Sequence, residues 1–156
     1  MPNPSHPDLL PDTINNQADR YYAFDRKDSR FFILGFIDAY SDTLRLTIIT
    51  KILSTGESSS IPAEVFFDEM MTYFQSKGGY PNAIRGIWND SNLERTTNLD
   101  RFNHLVLAGK SMEEAAKGTF TGRMAVKYHY TKINFCPSDK PNGPDPYHSV
   151  NAYFRK

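Results

Sequence analysis

From Arg30 to Leu53 the pattern of apolar positions is strand-like. Phe32, Leu34 and Phe36 form one alternating set, and Leu44, Leu46 and Ile48 form the next. Tyr40-Ser41-Asp42-Thr43 between them has the length of a tight connection, so the segment predicts a hairpin of two strands. After the polar run Ser54–Ser60 the period changes. Phe66, Phe67, Met70, Met71 and Phe74 recur at spacings of three and four, which makes one broad apolar stripe on a helix. Pro62 and Glu64 suit its first turn, and Gly78-Gly79 stops it. Ala83–Trp88 reads as a short strand bounded by Pro81 and the Asn89-Asp90-Ser91-Asn92 cluster. Thr97 or Asn98 can cap a second helix whose inner face carries Leu99, Phe102, Leu105 and Val106, and Gly109 ends it. Ser111 and Glu114 form a capping box for a third, which carries Ala115 and Ala116, breaks or bends near Gly118, and resumes through Met124, Ala125 and Tyr128. Strands at Lys132–Phe135 and Ser149–Phe154, joined by the loop Pro137–Pro146, close the chain.

The predicted order is β-β-α-β-α-α-β-β. Strand pairs at both ends with helices between them predict an α+β fold, a mainly antiparallel sheet with three to four helices on one face. Four prolines within residues 1–14 read as a tether, so the expected organisation is an N-terminal arm over 1–20 and one globular domain over 21–156.

Composition narrows the function classes. The chain has 156 residues, with 18 Lys+Arg balancing 18 Asp+Glu. That neutrality argues against a general nucleic-acid coat, which displaces counterions with a basic excess. A single cysteine excludes an intramolecular disulfide and a four-thiolate zinc site. The longest apolar stretch, Phe31–Ile37, is far shorter than the ~20 residues of a spanning helix. The start of the chain has no basic cluster and no apolar core, so it is not a secretory signal. The expected location is a target cell, reached without a leader, or the cytoplasm. Charge is polarised along the chain. Residues 1–100 hold 9 Lys+Arg and 14 Asp+Glu (−5), and residues 101–156 hold 9 and 4 (+5). The basic back half can steer an anionic substrate, or the two halves can simply complement each other.

Candidate chemistry falls in that back half. The four histidines, His6, His104, His129 and His148, show no metal-ligand spacing, and no metal or cofactor is expected. Deaminase, Walker, dinucleotide-binding and nucleophile-elbow signatures are absent. Metal-free RNA cleavage needs only proton carriers near neutrality and a cation for the phosphate. His129 with Arg123, Lys127 and Lys132 offers such a set, with His148 or His104 as the second proton carrier and Tyr128 and Tyr130 to stack a base. Thr119, Thr121 and Gly122 stand at a helix restart, where free N–H groups can hold an anion beside Arg123. That requires a solvent-open recess, to whose lining Trp88 is a candidate contributor. The competing reading is a local Thr cap, an exposed Arg and a core Trp. An ADP-ribosyltransferase would start from Arg45, but Ser58–Ser60 follows too closely and no Glu lies beyond Glu114. A thiol mechanism would use Cys136 with His148, although Cys136 ends a strand rather than opening a helix.

Asn98-Leu99-Asp100-Arg101-Phe102-Asn103, Ala108–Ala116 and Thr119–Ala125 together resemble a segment of the C-terminal toxin domains of bacterial polymorphic toxins, the variable tips of Rhs/YD-repeat and related secreted proteins. Phe67–Phe74 and Ile84–Trp88 fit the same likeness, which spans residues 64–135. The sequence departs from it at Phe120, where a tryptophan is expected, and at Tyr128-His129-Tyr130, where a Gly-Phe pair is expected. The resemblance implies a toxin or effector used in interbacterial competition or against a host, delivered by a secretion system. It implies an RNA or nucleotide-type substrate and a cognate immunity protein, and it transfers no catalytic residue. The reading from the other class is a non-catalytic protein-binding module, such as an immunity protein or a secretion adaptor. Oligomeric state is not legible.

Overall fold

A computed structural model describes residues 5–90, 97–139 and 144–156. Residues 1–4 of the expected arm, Ser91 and Asn92 of the expected strand boundary and residues 140–143 of the expected closing loop lie outside the described residues. The architecture is mixed α+β, and the chain divides into two compact units, Met1–Asn82 and Ala83–Lys156.

The first unit is an antiparallel meander of β1 (Leu9–Pro11), β2 (Arg20–Asp25), β3 (Asp28–Asp38) and β4 (Thr43–Ile49), followed by α1 (Ala63–Lys77). The predicted hairpin is β3 and β4, with Phe36 opposite Arg45 and Ile37 opposite Leu44. The stripe on α1 is fully used: Phe66, Phe67, Met70, Met71 and Phe74 are all buried. They meet Tyr21, Ala23, Ile33 and Leu44 from the strands in one core. Gly35 lies on this inner side because Met70 needs the space; a Cβ there would meet Met70 Sδ at 2.5 Å.

Two strands precede those predicted. Residues 9–11, within the segment read as a tether, pair with β2, and Leu9 is 3% exposed. Asp8 supplies the anchor. Its carboxylate accepts from Arg26 and sits 3.2 Å from the Lys27 ammonium, and these two partners hold its pKa below the ordinary carboxylate range. Asp25, also buried, accepts from the Ser59 hydroxyl at 2.6 Å, which fixes the loop before α1.

The second unit holds β5 (Ala83–Asn89), β6 (Lys132–Asp139) and β7 (Tyr147–Arg155), with β7 between the other two and both pairings antiparallel. Three helices, α2 (Thr97–Leu107), α3 (Met112–Lys117) and α4 (Phe120–Lys127), separate β5 from β6. The predicted order therefore runs from β3 to β7, and the expected break near Gly118 is the α3–α4 boundary. The inner face of the sheet carries Ile84, Trp88, Val150, Ala152 and Phe154, all buried, and α2 presents Phe102 to it. No helix among the described residues is long and apolar enough to cross a membrane.

Candidate functional site

The residues that make the sequence distinctive are spent on holding the second unit together. Ser111 caps α3 by accepting from Glu114 N, as its spacing predicts. Thr119 caps α4: its hydroxyl accepts from Gly122 N at 3.0 Å and donates to Ala116 O at 2.7 Å, and the residue is fully buried. Asn98 reaches from α2 to α4 and donates to the Thr121 hydroxyl. Gly122 is pressed against α3 so closely that a Cβ would fall 1.9 Å from Ala116 O. Asn103, 1% exposed, bonds both backbone groups of Tyr147.

This corrects the expected anion recess. Thr119, Thr121 and Gly122 do not line a solvent-open cleft; they form the buried joint between α3, α4 and α2. The chemistry that suits an anion site, hydroxyls and a glycine at a helix start, here satisfies the helix itself. Trp88 is likewise core, 5% exposed and in ring contact with Phe102 and Phe154, so it is closed to a substrate.

The remaining candidates lie on separate elements. Arg123 and Lys127 are on the exposed side of α4, and the Lys127 ammonium lies 5.9 Å from the Tyr128 ring centroid. His129 follows α4 in a left-handed conformation (φ 71°), its N–H bonded to Val126 O, and its side chain is exposed. His104 is exposed on α2, and His148 is half-buried on β7, where its carbonyl accepts from Asp90 N. Asn103, the neighbour of His104, bonds the backbone of Tyr147, the neighbour of His148; His129 is outside that contact. Tyr130, a proposed base-stacker, is fully buried under the Lys156 ammonium. Among the described residues no group of His, Cys, Asp and Glu could hold a metal.

Two features missed by sequence reasoning are sheet faces. On β2 and β3 the outward positions are Tyr22, Phe24, Phe32, Leu34 and Phe36, and the last three are the set whose alternation marks β3 as a strand. Tyr22 is in ring contact with Phe24 and Phe32, the Arg20 guanidinium lies 5.9 Å from the Phe36 ring centroid, and Phe36 is 46% exposed. An antiparallel sheet with one solvated face ordinarily turns polar residues outward. Here the run Phe31–Ile37 is apolar on both faces, while α1, the helix of this unit, packs on the Gly35 side. The second face is that of β5, β7 and β6 opposite the helices, which carries Arg85, Tyr153 and Lys132.

No family model, no curated protein and no solved structure matches the chain.

Proposed function

We propose that the protein is a non-catalytic protein-binding module of a polymorphic-toxin system, acting as an immunity protein or a secretion adaptor. The observation that carries this reading is the outward aromatic face of β2 and β3. Exposed apolar patches bordered by polar groups are how proteins meet one another, and Tyr, Phe and Arg are the residues enriched there. Phe36 under Arg20, with Leu10 at 44% exposure on the neighbouring β1, has that composition. The likeness of residues 64–135 to toxin tips supplies the setting. The enzyme reading loses its main support because the polar groups of Thr119–Gly122 are consumed within the fold.

Expression in the bacterial cytosol tests this. The module reading predicts unimpaired growth, identical for the wild type, Arg123→Ala and His129→Ala. Growth arrest that either substitution relieves overturns it in favour of an RNA- or nucleotide-directed toxin.

A further inference from the structure

We infer that the open face of β5, β7 and β6 binds the phosphodiester backbone of a single-stranded nucleic acid, with Lys132, Arg155 and Arg85 as its phosphate contacts. The inference is independent of the aromatic face in the other unit and of the role proposed for it.

The register sets the geometry. Lys132 is the Cα partner of Arg155, so two exposed cations stand directly opposite each other on adjacent strands. Arg85 is the partner of Tyr153, two residues back along β7, and so shares the face diagonally from Arg155. Like charges directly opposite across a sheet are destabilising. Nothing on the face relieves them: none of the three forms an ion pair among the described residues, and the described positions of this face carry no carboxylate. The whole segment 83–156 is basic as well, with 11 Lys+Arg against 7 Asp+Glu. A cation cluster kept together without counter-charges is complementary to an anionic occupant.

The rest of the face selects the kind of anion. Arg85 is pre-oriented: its Nε donates to Asn151 Oδ1 at 2.9 Å, and its guanidinium carbon lies 5.2 Å from the Tyr153 ring centroid. The terminal guanidinium nitrogens are left for a bidentate phosphate contact. Beyond the cations the face offers the exposed Asn134 amide and the Tyr153 ring, groups that hydrogen-bond or stack on bases. A protein-binding patch would centre on apolar side chains, and among the described residues of this face the one large exposed apolar side chain is Ile87.

Fluorescence anisotropy of the purified full chain with a labelled oligo(dT) tests the inference. Binding is expected at low salt, and three phosphate contacts give a slope of log K against log salt of about −2. The double variant Lys132→Gln/Arg155→Gln should weaken binding by about tenfold or more and flatten the slope by about 1.4. Arg85→Gln should flatten it by about 0.7, whereas Lys110→Gln, away from this face, should leave it unchanged. Circular dichroism melts confirm that these surface variants are folded. Inorganic phosphate and poly-glutamate serve as competitors at matched charge. Competition by poly-glutamate equal to that of oligonucleotide assigns the face to an acidic protein and overturns the inference. So does competition by free phosphate alone, an absence of binding at low salt, or binding indifferent to the three substitutions.

Discussion

The side-chain amide of Asn103 closes a two-bond ring on the backbone of Tyr147. Its nitrogen donates to Tyr147 O at 2.8 Å and its oxygen accepts from Tyr147 N at 3.2 Å. An amide mimics a strand neighbour at this point, so a residue on α2 satisfies the start of β7 just where the β6–β7 register shifts at Ser138/Asp139. Asn103→Ala leaves both backbone groups without this partner and should cost about 2–4 kcal/mol. Asn103→Asp keeps an acceptor but loses the donor and adds a buried charge, so it should be no better tolerated. His104→Ala, on the exposed neighbour, should fall within about 0.5 kcal/mol of wild type. Urea unfolding of the three variants checks the ranking.

Gly122 should be intolerant of any side chain although it lies in a helix. Gly→Ala inside a helix ordinarily gains up to about 1 kcal/mol. At position 122 the added methyl would sit 1.9 Å from Ala116 O, a backbone atom that cannot step aside. Gly122→Ala should therefore cost about 3 kcal/mol or more, or prevent folding. Gly35→Ala meets the flexible end of Met70 instead, at 2.5 Å, and should cost only about 1 kcal/mol. Denaturation midpoints of the two variants give the comparison.

What the sequence disclosed, and what it hid, follows from the same residues. The stripe on α1, the hairpin and the Ser111 cap were legible because periodicity and capping are local. The strand at Leu9–Pro11 was not, because prolines masked it and its anchors, the Asp8 contacts with Arg26 and Lys27, are distant in sequence. The outward face of β3 was hidden by its continuity: every residue from Phe31 to Ile37 except Gly35 is a large apolar one, and only the approach of Met70 to Gly35 decides which alternate set is inside. Thr119–Gly122 misled because an anion cradle and a helix cap use the same donors and acceptors. Which of them forms depends on whether Ala116 fills the space, and that is a tertiary fact.

Tyr21 makes stability depend on pH in the alkaline range. Its ring is 2% exposed and packs on Tyr73 at 5.0 Å. Burial, reinforced by the nearby Glu69 and Tyr73, raises its pKa well above the ordinary value of 10.0. Below about pH 10 the phenol is neutral in both states, and its contribution is present in full. Above that, the unfolded chain releases the proton while the folded one keeps it, so stability falls as pH rises towards the folded value. Thermal melts should show a drop above about pH 10 that is smaller in Tyr21→Phe than in wild type. Equal drops would show that Tyr21 is not the responsible group.

The two faces of β3 should separate folding from binding. Phe31 is 3% exposed and Phe36 is 46% exposed, on one strand. Phe31→Ala removes a buried ring and should cost about 3–5 kcal/mol. Phe36→Ala loses only part of a ring and its contact with Arg20, about 1 kcal/mol or less. If the outward face serves a partner, Phe36→Glu should remain folded yet abolish that association, which Phe31→Ala cannot do without unfolding the chain. A Phe36→Glu variant as unstable as Phe31→Ala would mean that the aromatic face is closed by the protein's own fold, and the case for a binding surface there would fail.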